Sequence, residues 1–335
     1  MDFDIIITTY NRSASLETLV SQIMKCDIYP TRIIVVDSSK KENTEIQNNN
    51  IVKYIQSSHA NQPYQRYVGY LASTSSILVY LDDDMEIADQ FAFKKILENF
   101  QKKEVIGLAI NFINENEFLQ RKVPKSKFAS TKGIMKTLKT LSGQSELSEG
   151  EYGFNGLKGA QPKEGGITKW FRGGAFAARR EFLYKGFNFK LFDLYEEGLG
   201  KGEDGILGYT LSKSGRLLFE PKILFIHNDK KDSTYTQNFF SFSRRVIYSR
   251  LYLSYEFSRL NDNALCNATL RYHWYVLWRV MGIVINQVLN FKDSRKEMLK
   301  GYLEGWRLAF QSQKELQKYK NESYWEKEAK HDIGS

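Results

Sequence analysis

Asp82, Asp83 and Asp84 follow directly on the apolar run of residues 77–81, so three carboxylates stand where a buried strand would leave its core. In extended backbone, side chains two apart point the same way, which predicts Asp82 and Asp84 on one side and Asp83 on the other. Carboxylates this close repel one another unless a cation intervenes. Open α/β folds bind ligands at the C-terminal edge of the sheet, and there a hard divalent ion shared with phosphate oxygens is the natural partner. The competing reading is a solvated acidic turn that caps the next helix.

Three further groups can do chemistry. Asp37 ends the run of residues 32–36, where a carboxylate can accept hydrogen bonds from a base or ribose, or simply close a turn. Glu203 and Asp204 lie among Gly200, Gly202 and Gly205, just ahead of the helical pattern Ile206, Leu207 and Leu211. They either cap that helix or line a pocket in which one of them takes a proton from an attacking alcohol. His227 closes the run of residues 217–226 and precedes Asn228 and Asp229. It is either a structural histidine or the partner of Asp84 in a metal site.

These groups need a scaffold, and the first hundred residues supply its pattern. Short β-branched runs at 3–7, 32–36, 51–55, 77–81 and 105–110 read as strands, with helices expected at 13–25, 64–72 and from 89 onward. Alternation of this kind predicts a parallel α/β sheet. Residues 142–166 carry seven glycines and read as a long loop without elements, either an active-site lid or an insertion. After the cluster at 170–178, a helix is expected at 204–214 and a strand at 217–226.

The chain has 335 residues, 42% of them hydrophobic, enough for a sizeable core and for about two units of ordinary size. Its two cysteines, Cys26 and Cys266, form no pattern for a disulfide framework or a cysteine zinc site. Asp2 and Asp4 stand where an export signal would be basic, and the apolar stretch there is only residues 5–7, so a cytoplasmic location is expected. Of the net charge of +9, residues 241–335 hold +6, which excludes an even basic coat. In that part the arginines alternate with aromatic residues at helical core spacing and no recognised nucleic-acid motif occurs, so nucleic acid is not an expected partner. Its most apolar piece, residues 274–291, contains Arg279 and Asn286 and is followed by Lys292, Arg295, Lys296 and Lys300. An arginine at mid-bilayer costs about 2.5–3.5 kcal/mol, which argues against a spanning helix. There remain a helix packed on the sheet and one lying at an anionic membrane surface.

Several segments together resemble family 2 glycosyltransferases of the GT-A fold. Ile5-Ile6-Ile7-Thr8-Thr9-Tyr10-Asn11-Arg12 is similar to the family's first strand and its turn, and Val35-Val36-Asp37-Ser38-Ser39 to its second-strand motif. The three aspartates at 82–84 resemble its acidic metal-binding motif. Phe171-Arg172-Gly173-Gly174-Ala175-Phe176, followed by Arg179-Arg180-Glu181-Phe182, resembles the segment before the base, and Gly202-Glu203-Asp204 resembles the Glu-Asp motif. The similarity spans residues 3–228.

The resemblance implies a Rossmann-like, mostly parallel sheet flanked by helices, the GT-A nucleotide-diphospho-sugar transferase fold, over residues 1–240, with an α-helical extension at 241–335. It implies donor-nucleotide contacts from Thr8, Tyr10, Arg12, Asp37, Arg66, Asp82 and Asp83. The family's usual Arg-Asn pair reads Arg66-Tyr67 here. Asp84 and His227 would hold Mn2+ or Mg2+, the imidazole favouring Mn2+. Asp204 would be the base, with Glu203 orienting donor or acceptor, and Arg172, Gly173 and Gly174 would border the sugar. The implied reaction is inverting transfer from a nucleoside-diphosphate sugar, a UDP-sugar foremost, to a hydroxyl of a glycan or lipid-linked acceptor. Such an enzyme of polysaccharide or cell-surface glycan synthesis would act in the cytoplasm or peripherally at the inner membrane face. A nucleotidyltransferase is the first competitor, but Thr9-Tyr10-Asn11-Arg12 lacks the glycine-rich phosphate loop that such enzymes want. A non-catalytic nucleotide-sugar-binding subunit is the second, and the presence of Asp84, Glu203, Asp204 and His227 argues against it.

Overall fold

The computed structural model describes residues 1–114, 147–228, 238–289, 293–318 and 322–334. β1 (Phe3–Thr9) is buried throughout, because β2 (Arg32–Asp37) and β4 (Ile77–Asp82) flank it in parallel and helices cover both faces. β3 (Val52–Gln56) lies outside β2. The side chains of β1 alternate as a strand requires. Ile5 and Ile7 enter one core layer, against α1 (Ser13–Ile23) and the short α2 (Thr44–Gln47), while Ile6 enters the other, against α3 (Gln62–Ala72). α4 (Ala92–Asn99) adds Phe93 and Ile96 to the first layer.

Beyond β4 the sheet becomes mixed. The order is β3, β2, β1, β4, β10 (Ala175–Arg179), β6 (Val105–Asn114), β11 (Arg216–His227) and β5 (Met85–Ile87), with β9 (Gly166–Thr168) also on β11. β10 runs antiparallel to both β4 and β6, and β5 and β9 run antiparallel to β11. This is the mostly parallel sheet expected from the sequence, and its antiparallel strand between β4 and β6 has a physical reason. β6 ends at the edge where β4 ends, and β10 begins at that same edge, with Ala175 opposite Leu81, so β10 runs back between them. Asp82 N donates to Gly174 O (2.9 Å) where the two strands meet.

The glycine-rich stretch is not without elements either. Residues 142–146 lie outside the described residues, but β7 (Tyr152–Gly153) and β8 (Leu157–Lys158) pair as a small hairpin, and Gly150 N donates to Ala160 O (2.6 Å). Glycines at tight positions close this hairpin, which places Lys158 over the sheet edge.

α5 (Arg180–Leu183) is a single turn; α6 (Phe189–Glu196) and α7 (Glu203–Ser212) follow and face two ways. Phe192, Leu207 and Leu211 join the sheet's core, and Leu191, Leu194, Ile206 and Tyr209 join a third core under the C-terminal helices. These are α8 (Phe239–Arg259), α9 (Leu265–Leu289), α10 (Asp293–Gln311) and the short α11 (Gln313–Leu316). Gly301 and Gly305 lie one turn apart on α10, and a Cβ on either would stand 2.3 Å from Phe240 O or 2.6 Å from Arg244 O. Their bareness lets α10 cross the backbone of α8. α12 (Glu322–Gly334) leaves this bundle and returns to the sheet, where Trp325 packs on Tyr64 and Phe192. Asp332 there accepts hydrogen bonds from Tyr64 Oη (2.8 Å) and Ser58 N (3.1 Å). Of the apolar piece at 274–291, residues 274–289 belong to α9; residues 290–292, including Lys292, lie outside the described residues, as does Asp229. Among the described residues no helix is long and apolar enough to cross a membrane.

Candidate active site

The site lies at the edge where β1, β2 and β4 end. Strand geometry stops at Asp82, and residues 83–84 form the turn into β5. The alternation expected of Asp82, Asp83 and Asp84 therefore fails: Asp83 and Asp84 share one partner, and Asp82 turns to another. Arg12 Nη1 donates to Asp84 Oδ2 (2.6 Å) and Asp83 Oδ1 (3.0 Å), and Thr9 Oγ1 donates to Asp83 Oδ2 (2.7 Å). Arg12 reaches them because Asn11 takes a left-handed conformation (φ 55°), which asparagine tolerates, with its N–H on Ser39 Oγ (2.6 Å).

Asp82 belongs to a second cluster centred on Arg66, a guanidinium 4% exposed. Arg66 donates to Asp82 Oδ1 (2.9 Å), Glu203 Oε1 (3.0 Å) and the carbonyl of Gly173 (2.6 Å), joining β4, α7 and the approach to β10. Gln62 Nε2 also donates to Asp82 Oδ1 (2.9 Å). Burial pushes the Asp82 carboxyl up to about 7; Arg66 opposes this, while Asp84 and Asp83 add to it. The carboxylates of the site outnumber the cations they bind, which suits an arriving positive charge.

Glu203 and Asp204 open α7. Gly202 before them sits at φ 90°, where only glycine is at ease, and that turn aims both side chains back toward the sheet edge. A helix N-terminus favours their negative charge. Tyr195 Oη donates to Glu203 Oε2, and Lys158 Nζ donates to Asp204 Oδ2 (2.6 Å). Burial alone would raise the Asp204 carboxyl, but Lys158, followed by Arg66 and the Gly205 N–H, holds it below the ordinary carboxylate range. A Cβ on Gly173 would stand 3.6 Å from Asp204 Oδ2, so this backbone passes directly beside the carboxylate.

The other expected residues are more dispersed. His227 Nε2 lies 3.3 Å from Asp84 Oδ1, so the structure brings this pair together. Arg172 Nη1 donates to Phe112 O (2.7 Å), and its guanidinium stacks 3.8 Å from the Phe112 ring, itself beside His227. A Cβ on Gly174 would meet Met85 Cε at 2.0 Å, so its smallness serves packing under the turn. Asp37 is buried at the end of β2 and accepts from Ser39 N and Tyr54 Oη, both at 2.7 Å. Thr8 is buried beside Asp82 in register, and its hydroxyl has no hydrogen bond among the described residues. Tyr10 is half exposed at the rim.

Asp84 and His227 fit a divalent cation. Asp84 Oδ1 is buried, accepts no hydrogen bond of good geometry among the described residues, and faces the imidazole nitrogen at 3.3 Å. Two cis ligands of an ion with bonds of about 2.1 Å stand about 3 Å apart, close to this separation. Among the described residues no three such side chains gather into a cage. The protein thus offers a pair, and phosphate oxygens and water would complete the shell, the usual habit of Mg2+ at phosphate sites.

Lys158 was invisible to sequence reasoning, because only the folding of the glycine-rich hairpin brings it to Asp204; Gln62 and Tyr195 likewise carry no sequence signal. Lys158→Met should raise the Asp204 carboxyl, since the nearest opposing charge is removed while Glu203, Tyr152, Lys201 and Arg66 remain. A base acts as its carboxylate. The acidic limb of the kcat/KM profile is therefore expected to move to higher pH, whereas an unmoved limb would show that Lys158 does not set the charge of Asp204.

A family model described as Glycosyl transferase family 2 matches residues 4–186. Among solved structures, the mannosyltransferase PcManGT from Pyrobaculum calidifontis, in complex with GDP-Man and Mn2+, is 12% identical, with a TM-score of 0.49 over 92% of this chain and 86% of that one. TarS 1-349 of S. aureus, in complex with UDP-GlcNAc, is 14% identical, with a TM-score of 0.43 over 96% of this chain and 93% of that one. No curated protein matches the sequence significantly.

Proposed function

Because the chain belongs to glycosyl transferase family 2, we propose that it transfers a sugar, with inversion, from a nucleoside-diphosphate donor to a hydroxyl of a glycan or lipid-linked saccharide. A UDP-sugar is the first donor to test, and the setting is polysaccharide or cell-surface glycan synthesis at the cytoplasmic side. Residues 1–240 form the catalytic unit of this reading and residues 241–335 its helical extension.

The observation that carries the proposal is the separation of two acidic groups by Arg66. On one side Asp83, Asp84 and His227 gather at the β4–β5 turn; on the other Asp204, paired with Lys158, stands at the start of α7 beside Gly173. Inverting transfer needs this division. The acceptor oxygen forms its bond to the anomeric carbon as the bond to the diphosphate breaks, the electron pair leaves with the phosphate, and the hydroxyl proton passes to Asp204. Glu203, fixed by Arg66 and Tyr195, orients the reactants. Arg172 and the backbone at Gly173 and Gly174 border the sugar, while Thr8, Tyr10, Arg12, Asp37, Asp82 and Asp83 line the nucleotide side. Asp84 and His227 would hold Mn2+ or Mg2+, whose chemistry there would be to neutralise charge gathering on the diphosphate.

The test is incubation with a panel of UDP-, GDP- and dTDP-sugars and either metal ion, with a mixture of glycan acceptors. Release of nucleoside diphosphate is the expected result; pyrophosphate chemistry, or no release with any donor, would overturn the reading. In a thermal-shift titration with the same nucleotides, Asp84→Asn should raise the metal concentration needed for half-maximal nucleotide-induced stabilisation by about tenfold or more. An unchanged requirement would remove Asp84 as a ligand.

A further inference from the structure

Away from the site, α9 presents a surface poorly adapted to water. Leu270, Trp274, Leu277, Met281 and Val284 recur at intervals of four and three residues and are 72%, 51%, 39%, 40% and 42% exposed. They form one stripe of a helix whose opposite side, through Ala268, Tyr272, Tyr275 and Val276, is sealed in the third core. A solvated helix face ordinarily carries charges of both signs. α9 contains no Asp, Glu or Lys, and its only charged side chains besides His273 are Arg271 and Arg279.

The neighbouring helix extends the same surface and gives it a charge. α10 lies along α9, with Trp306 Nε1 donating to His273 Nδ1 (2.7 Å), the Phe310 ring 5.9 Å from that of His273, and Arg279 Nη2 on Tyr302 Oη (3.1 Å). It exposes Lys296, Lys300, Leu303, Arg307 and Phe310, again four and three apart. Of its carboxylates, Asp293 opens the helix, and Glu297 and Glu304 are engaged by Lys300 and Arg307 of the same helix. Together with Arg271, the result is an apolar strip with a cationic border, in the part of the chain that holds +6 of the net +9.

We infer that this face, the outer side of α9 with the exposed edge of α10, docks the protein on an anionic lipid surface. The apolar side chains enter the acyl boundary, and Arg271, Lys296, Lys300 and Arg307 lie among the headgroups. Charge favours a lipid surface over a second copy of the chain: pairing two such strips gathers two like-charged borders in one interface, whereas anionic headgroups complement the border. α9 has the length to cross a bilayer but not the apolar character, so it would lie along the surface. The docking helices share a scaffold with the site, because α8 holds the loop before Glu203 through Arg245 Nη2 on Gly200 O (2.8 Å) and Ser249 Oγ on Leu199 O (2.6 Å). The inference does not depend on which sugar is moved.

The full chain is sedimented with vesicles of phosphatidylcholine alone and of phosphatidylcholine with about 30 mol% phosphatidylglycerol. Binding to the anionic vesicles only, falling about tenfold or more between about 0.1 M and about 0.5 M NaCl, is the expected result. The triple variant Trp274→Ser, Leu277→Gln, Met281→Gln should lose about tenfold in binding while keeping its thermal melt and nucleotide-induced shift. Should that variant fail to fold, Lys296→Glu with Lys300→Glu, both at exposed positions, is expected to lose about tenfold as well. Absence of wild-type binding to anionic vesicles, or wild-type affinity in either folded variant, would overturn the inference. So would light scattering showing a dimer that the triple variant dissolves, with no vesicle binding.

Discussion

Asp204→Asn is expected to lower kcat for sugar transfer by about 10²- to 10⁴-fold, the usual contribution of a positioned general base, while leaving nucleotide affinity nearly unchanged. The amide keeps the size of the carboxylate and its place in the first turn of α7, so the helix and the approach to β10 should survive. What it loses is the capacity to take a proton. Nucleotide binding should persist because Asp204 touches Lys158 and the Gly173 backbone, whereas the Asp83, Asp84 and His227 group lies on the far side of Arg66. Initial rates of nucleoside-diphosphate release, paired with calorimetric titration of the nucleotide, separate the two effects. A variant with near-normal kcat would end the assignment of Asp204 as base.

Arg66→Met is expected to cost about 3–5 kcal/mol of folding stability, the typical penalty when one partner of a buried ion pair is removed. Methionine fills much of the volume, yet Asp82 and Glu203 lose their shared counter-charge and the Gly173 carbonyl loses its donor. Adding Glu203→Gln should restore part of the loss, because one stranded charge is then gone; a purely steric role for Arg66 would leave the two changes additive. Urea unfolding of the two single variants and the double variant measures the coupling.

How far the sequence led differed from residue to residue. β1, β2 and β4 were legible because their apolar runs are short, continuous and ended by Thr, Asp or an acidic triplet, and Glu203 and Asp204 were legible because glycines isolate them. Asp83 shares the side of Asp84 because strand alternation ends at Asp82 and the chain turns there. Nothing local to Arg66 told that it would be buried: α3 reads as amphipathic but is covered on both sides, by the sheet and by a helix that begins at residue 322. Lys158 was out of reach for the same reason in smaller form, since its partner lies 46 residues away. β10 read only as an unassigned cluster, and its direction follows from where the chain re-enters the sheet, which no local pattern encodes.

The return of α12 to the sheet has a consequence for the order of assembly. Tyr64 and Asp332 are 268 residues apart, and Trp325 fills the space between Tyr64 and Phe192. β1, β2 and β4 leave the ribosome long before α12, so one wall of their core is made late. Until α12 emerges, α3 keeps an aromatic face open to water, a surface of the kind that chaperones hold and that aggregates when they do not. Contacts of such long sequence separation also slow folding. Maturation of the sheet is thereby tied to the synthesis of α12.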